Sequence, residues 1–144
     1  MTYVVERLAN WAEAYRGQAL SPEVLHHAKR VVIDWYAALF PGAVVPPATA
    51  LEKSLLEELD HDGYQARLAL GRRATVRAAA LINGAAAHTA EVDDIFRDGI
   101  YHPGAPTISA ALALAQARGA AGMDFLRAVV VGYEISTRIG AAIG

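Results

Sequence analysis

Apolar residues recur at helical intervals along most of the chain. Val4, Leu8, Trp11, Ala12 and Tyr15 mark a first predicted helix that Gly17 ends. Ser21 is a good N-cap for a second, with Pro22 at its first position and Glu23 favourable toward the macrodipole. Its apolar set, Val24, Leu25, Ala28, Val31, Val32, Trp35 and Leu39, repeats to Phe40, where Pro41-Gly42 is expected to stop it. Pro46-Pro47 precedes a third, amphipathic helix through Leu51, Leu55, Leu56 and Leu59. Asp60-His61-Asp62-Gly63 reads as a turn. Ala66, Leu68 and Leu70 then alternate with Arg67 and Ala69, which predicts one short extended segment. Thr75 caps an alanine-rich helix to about Glu91, a polar loop spans Asp93 to Gly104, and Pro106 opens a helix ending near Gly119. A last helix runs from Met123 toward Ile139. The predicted fold class is mainly α, a domain of about six helices with at most one short extended segment.

The surplus of apolar residues changes this picture. At 54% hydrophobic residues and a mean hydropathy of +0.23, 144 residues carry more apolar surface than a small domain needs. Close helix packing through alanine and a face that docks onto further protein both account for it. The last helix, with Val129, Val130, Val131, Tyr133, Ile135 and Ile139, is apolar on more than one side, so it is expected to pack against further chain or a second copy. A homo-oligomer or a complementary C-terminal half is the expected protein partner.

Charge and cysteine usage narrow the function classes. A net charge of −2 with scattered Lys and Arg offers no basic stripe for a nucleic acid. The lack of cysteine removes disulfides, thiolate metal sites and thiol nucleophiles. The N-terminus lacks the basic start and apolar core of a signal peptide, and no apolar run reaches a membrane span. A cytoplasmic protein with no membrane partner is expected.

The chemistry concentrates between Asn83 and Pro106. On a helix, Asn83, Gly84, Ala87, His88 and Glu91 form one stripe, with small residues leaving space beside polar ones. Glu91, Asp93 and Asp94 would close that helix at its C-terminus, where the macrodipole opposes carboxylates; a solvated helix end is the ordinary alternative. His102-Pro103-Gly104 places an imidazole just before the helix start at Ala105-Pro106-Thr107. Free amides there can bind a carboxylate, and His102 beside them can move a proton on the bound molecule. Tyr101, Gly104, Thr107 and His88 are the candidate substrate contacts, although the ordinary reading of His88, and the one favoured here, is that it caps or packs against its own helix.

Other patterns carry less. His61-Asp62, with His26-His27, lacks the spacing of a helical metal site, and Asp62-Gly63 reads better as a turn. Asp93 to Asp98 brushes against a magnesium-binding aspartate motif, but Arg97 stands where the third aspartate should fall. No metal is expected. Trp11, Tyr15, Trp35 and Tyr36 sit at core spacing. Arg72, Arg73 and Arg77 could attract an anion, or simply form a solvated helix start.

Several of these stretches together resemble the signature block of the MmgE/PrpD family, the group of 2-methylcitrate dehydratase and cis-aconitate decarboxylase. They are Ala79-Ala80-Leu81-Ile82-Asn83-Gly84 with Ala87-His88, then Glu91-Val92-Asp93-Asp94, then His102-Pro103-Gly104. Ile33-Asp34 and Gly132-Tyr133-Glu134-Ile135 followed by Arg138 agree as well. The resemblance implies a lyase that dehydrates, decarboxylates or otherwise transforms small di- and tricarboxylic acids by proton transfer, with no cofactor. It implies that Glu91, Asp93, Asp94 and His102 line the active site. Two features depart from the family: Glu91 stands where aspartate is common, and the Ile95–Tyr101 loop differs. The resemblance also implies a second histidine, lysines and a lid domain outside residues 1–144, so this stretch alone is expected to be inactive. The alternative is a non-catalytic helical assembly or binding module that keeps the family fold.

Overall fold

The computed structural model describes residues 3–143, which form six α-helices and a two-stranded antiparallel hairpin. Helix α1 spans Val4–Tyr15 and α2 spans Pro22–Gly42. Ser21 caps α2, its Oγ accepting the Val24 amide at 3.2 Å, as its sequence predicts. Contrary to expectation, Pro41 does not stop the helix. In the last turn a proline forfeits one backbone bond only, and Ala43 N–H still reaches the Leu39 carbonyl at 2.9 Å.

Helix α3, Ala48–Ser54, is shorter than predicted because the chain leaves helical geometry at Leu55 and makes one 3-10 turn, Leu56–Glu58. Tertiary bonds hold it there. The Thr75 amide donates to the Glu58 carbonyl at 2.9 Å and the Thr75 hydroxyl to the Glu58 carboxylate at 2.6 Å. The extended segment also differs from its prediction, since β1, Ala66–Arg67, pairs with a second strand β2, Arg73–Ala74. That strand occupies part of the expected basic helix start. Its arginines are matched locally: Arg72 meets Asp60 at 2.5 Å and Glu52 at 2.6 Å, Arg73 approaches Asp62, and Arg77 pairs with Glu58. The cluster therefore has its own carboxylates and does not present an open cationic patch.

Helices α4 (Val76–Thr89), α5 (Gly104–Arg118) and α6 (Gly122–Ile143) complete the domain. Helix α4 packs between α2 and α5, and Trp35, Leu39, Ile82, Ala86, Ile108 and Val129 form the centre of the core. Alanine and glycine permit the close crossing. A Cβ on Gly42 would overlap the Ala86 carbonyl, so α2 and α4 meet backbone to backbone. Trp35, 1% exposed, donates its indole N–H to the equally buried Ser109 Oγ at 3.1 Å and ties α2 to α5. Gly119, at φ 58, closes α5.

Asn83 does not border open space, as its place in the predicted stripe suggested. It is buried, accepts the Ala69 amide at 3.0 Å and donates to the Arg67 carbonyl at 2.9 Å, so it fastens the hairpin to α4. Along α6, Ile139 and Ile143 are exposed beside α1, over a groove of about 530 Å³ that Leu8 and Trp11 also line. Among the described residues no helix is long and apolar enough to cross a membrane.

Candidate active site

Helix α4 ends at Thr89, two residues before the predicted limit, and Glu91 takes a left-handed backbone at φ 50. That conformation is uncommon for a residue with a side chain, and it swings the chain off the helix axis. Glu91 consequently leaves the stripe of Gly84, Ala87 and His88. The expected row of carboxylates at a helix C-terminus does not form, because Asp93 and Asp94 diverge.

Asp93 turns back beneath α4. Its side chain is 2% exposed, and Oδ2 lies 3.2 Å from His88 Nδ1 and 3.3 Å from His102 Nδ1. The first contact is a hydrogen bond. The second is off line, so His102 Nδ1 is buried at ion-pair distance without a hydrogen-bond partner. The two imidazole rings stand 4.6 Å apart at 57°. One buried carboxylate thus serves two histidines that the sequence separates into a helix and a loop.

Asp94 turns to other partners. Its Oδ1 accepts the Gly104 amide at 3.0 Å and its Oδ2 accepts the Tyr133 hydroxyl at 2.8 Å. The carboxylate therefore sits at the N-terminus of α5, where the macrodipole favours it. Burial nevertheless pushes its pKa up, opposed by those two hydrogen bonds and aided by the nearby carboxylates of Asp34 and Asp93. Tyr133 is pushed up as well, first by burial and then by the Asp94 charge.

Placement of the remaining candidates is uneven. The Gly104 amide, expected to be open to a substrate carboxylate, is already bonded to Asp94. Thr107 packs its methyl where a Cβ on Gly132 would fall, so its side chain faces α6. Tyr101 lies against Gly99 and Gly140, with its buried hydroxyl lacking a hydrogen-bond partner. Tyr101, His102, His88, Glu91, Gly84 and Pro106 together border an open cleft of about 760 Å³. A second depression of about 560 Å³ lies on the α2 side of the same loop, with Arg30, Asp34, Asp93 and Asp94 along it. Tyr133 and Asp34 belong to stretches that carry the family resemblance, yet nothing local to them in sequence signals that they lie near Asp94.

Elsewhere, His61 accepts the Gly63 amide at 3.0 Å and Asp62 is fully exposed, in keeping with a turn. The residues that could hold a metal are instead His88, Asp93 and His102, whose ligand atoms lie within 4.8 Å of one another. Proton transfer is the other chemistry open to this trio. Two imidazoles border the cleft, and the hydrogen bond with Asp93 can fix the hydrogen-bearing nitrogen of His88, while His102 Nδ1 lies 3.3 Å from the same oxygen.

The model of the MmgE/PrpD N-terminal domain matches residues 6–144. Cis-aconitate decarboxylase-like protein oryM of Aspergillus oryzae is 31% identical over 97% of this chain and 30% of its own length. Cis-aconitate decarboxylase of Aspergillus terreus is 28% identical over 97% of this chain and 29% of its own length. The chain thus spans about 30% of the length of the curated relatives it matches. No solved structure matches it.

Proposed function

The chain belongs to the MmgE/PrpD family, and from that premise we propose that it supplies part of the active site of a lyase acting on small di- or tricarboxylic acids by acid–base proton transfer, without a cofactor. The observation that carries this reading is the pair of imidazoles on one buried carboxylate at the edge of the cleft. His102 is the general acid or base. Glu91 and Tyr101 border the same cleft and contact the substrate, while Asp93 and Asp94 act from behind the surface.

The chemistry suits an imidazole. Decarboxylation breaks the bond to a carboxylate carbon, releases carbon dioxide and leaves an electron pair that must receive a proton at carbon. Dehydration removes a carbon-bound proton and delivers another to the departing hydroxyl. Either reaction needs a group that gains and loses a proton near neutral pH. Cis-aconitate is the first substrate to test, because the relatives' names specify it.

The experiment is a turnover assay of the complete gene product on cis-aconitate and 2-methylcitrate. His102→Ala should lower kcat by about 100-fold or more. Wild-type turnover with unimpaired His102→Ala would remove His102 from the mechanism. No turnover, together with no melting shift by any small polycarboxylate, would favour a non-catalytic module; a ligand at about 100 times its Kd adds about 2.7 kcal/mol.

A further inference from the structure

We infer that His88 is a second proton-transfer residue of this site and that Asp93 is the positioning residue shared by His88 and His102. The inference rests on the lyase reading above. It extends that reading by assigning to His88 a role equal to that of His102, and to Asp93 the positioning of both.

Three observations lead there. His88 and His102 both turn Nδ1 toward Asp93 Oδ2, at 3.2 and 3.3 Å. His88 Nδ1 is hydrogen-bonded to the carboxylate and His102 Nδ1 is buried beside it without that bond, so Nε2 is the ring nitrogen each histidine has left for the cleft that both line. Asp93 itself is 2% exposed, against 49% for His88 and 30% for His102, so the imidazoles and not the carboxylate meet solvent. A histidine needed only to end α4 would have no reason to be tied to the same oxygen as the histidine of a loop that follows.

The pair completes an elimination. One Nε2 takes the proton from the carbon next to a carboxylate, and that C–H electron pair becomes the new double bond. The C–O bond breaks toward oxygen, which takes a proton from the other imidazolium, and water leaves. One histidine has gained the proton the other has lost, so the two exchange roles through solvent before the next turnover. Asp93 takes no part in these transfers and acts only by lying against both rings.

The test uses the complete gene product and two readouts. In the first, His88→Gln, which keeps a polar side chain but cannot shuttle a proton, should lower kcat about 100-fold with KM nearly unchanged, as should His88→Ala. In the second, nitrogen-15 NMR of labelled histidines should show hydrogen on Nδ1 of His88 in the resting enzyme, and Asp93→Asn should abolish that preference. A His88→Gln enzyme with normal kcat, while His102→Ala is inactive, would overturn the inference and leave the lyase reading standing. An active His102→Ala enzyme would instead defeat the reading beneath it. Activity lost on chelation and restored by zinc would make the three residues ligands and overturn the inference. If wild-type protein turns over neither acid, an Nδ1 of His88 without hydrogen overturns the Asp93 assignment on its own.

Discussion

Tyr133 donates its hydroxyl to Asp94 at 2.8 Å across 39 residues of sequence, joining α6 to the loop that carries the three candidate carboxylates. The same Asp94 carboxylate receives the Gly104 amide, so three segments converge on one side chain. Removing the hydroxyl in Tyr133→Phe leaves Asp94 half-buried with one hydrogen bond fewer. The fold should lose roughly 1.5–3 kcal/mol at neutral pH, the range for a bond to a charged group. Urea denaturation of wild type and variant checks this, and an unchanged midpoint would show that the bond contributes nothing.

Asp94 also sets a pH dependence. Burial raises its pKa in the fold, so its contribution is most favourable below the unfolded carboxyl value and is lost as pH rises through the folded one. Ionised Asp94 therefore opposes folding at neutral pH. Asp94→Asn, which keeps an acceptor for Gly104, should match wild type in acid and gain on it progressively toward neutrality. Thermal melts of both proteins across that range measure the crossover; parallel curves would refute the assigned direction.

Gly104 should tolerate no side chain. A Cβ there would stand 2.6 Å from Asp94 Oδ1 and 2.8 Å from the Tyr133 hydroxyl, so Gly104→Ala must displace both. A loss of roughly 1–3 kcal/mol is expected, as for overpacking elsewhere. At Gly122 a Cβ meets nothing within 4 Å, and Gly122→Ala at the start of α6 should be neutral or stabilising. Equal effects of the two substitutions in chemical denaturation would contradict the packing account.

The buried bond between Trp35 and Ser109 offers a separate check on the core. Ser109→Ala leaves the indole N–H unpaired in a dry interior and should cost about 1–3 kcal/mol. In a Trp35→Phe background, where the donor is already gone, the same change should cost less. A double-mutant cycle measures the difference, and strict additivity would mean the two side chains are not coupled.

Local signals made much of this fold legible in sequence. Ser21-Pro22, Thr75 and Gly119 mark helix ends because capping and glycine geometry act within a turn. The second strand escaped because Arg73–Ala74 is too short to show alternation, and the break at Leu55 because the restraint comes from Thr75, well downstream. At the site, the residue types around His102 could be read, yet their directions could not. Whether Asp93 or Asp94 faces a histidine depends on Glu91 leaving the helix and on Tyr133 claiming its neighbour. The first is a left-handed turn at a residue with a side chain, where no glycine signals it, and the second is a contact across 39 residues.

The divergence of Asp93 and Asp94 has a consequence for how the chain can vary in length. Adjacent carboxylates serve different partners, so a length change of one residue just before Asp93 would shift both by one place: an insertion brings the histidines' partner against Gly104, a deletion brings the Tyr133 partner beneath the histidines, and either leaves the other place without its carboxylate. Further along, Ile95 is 56% and Ile100 83% exposed, and neither aspartate's place depends on the spacing beyond Asp94. Changes of length belong there. A loop whose ends border the cleft can be enlarged or trimmed at that point while the acidic pair behind it keeps its phase.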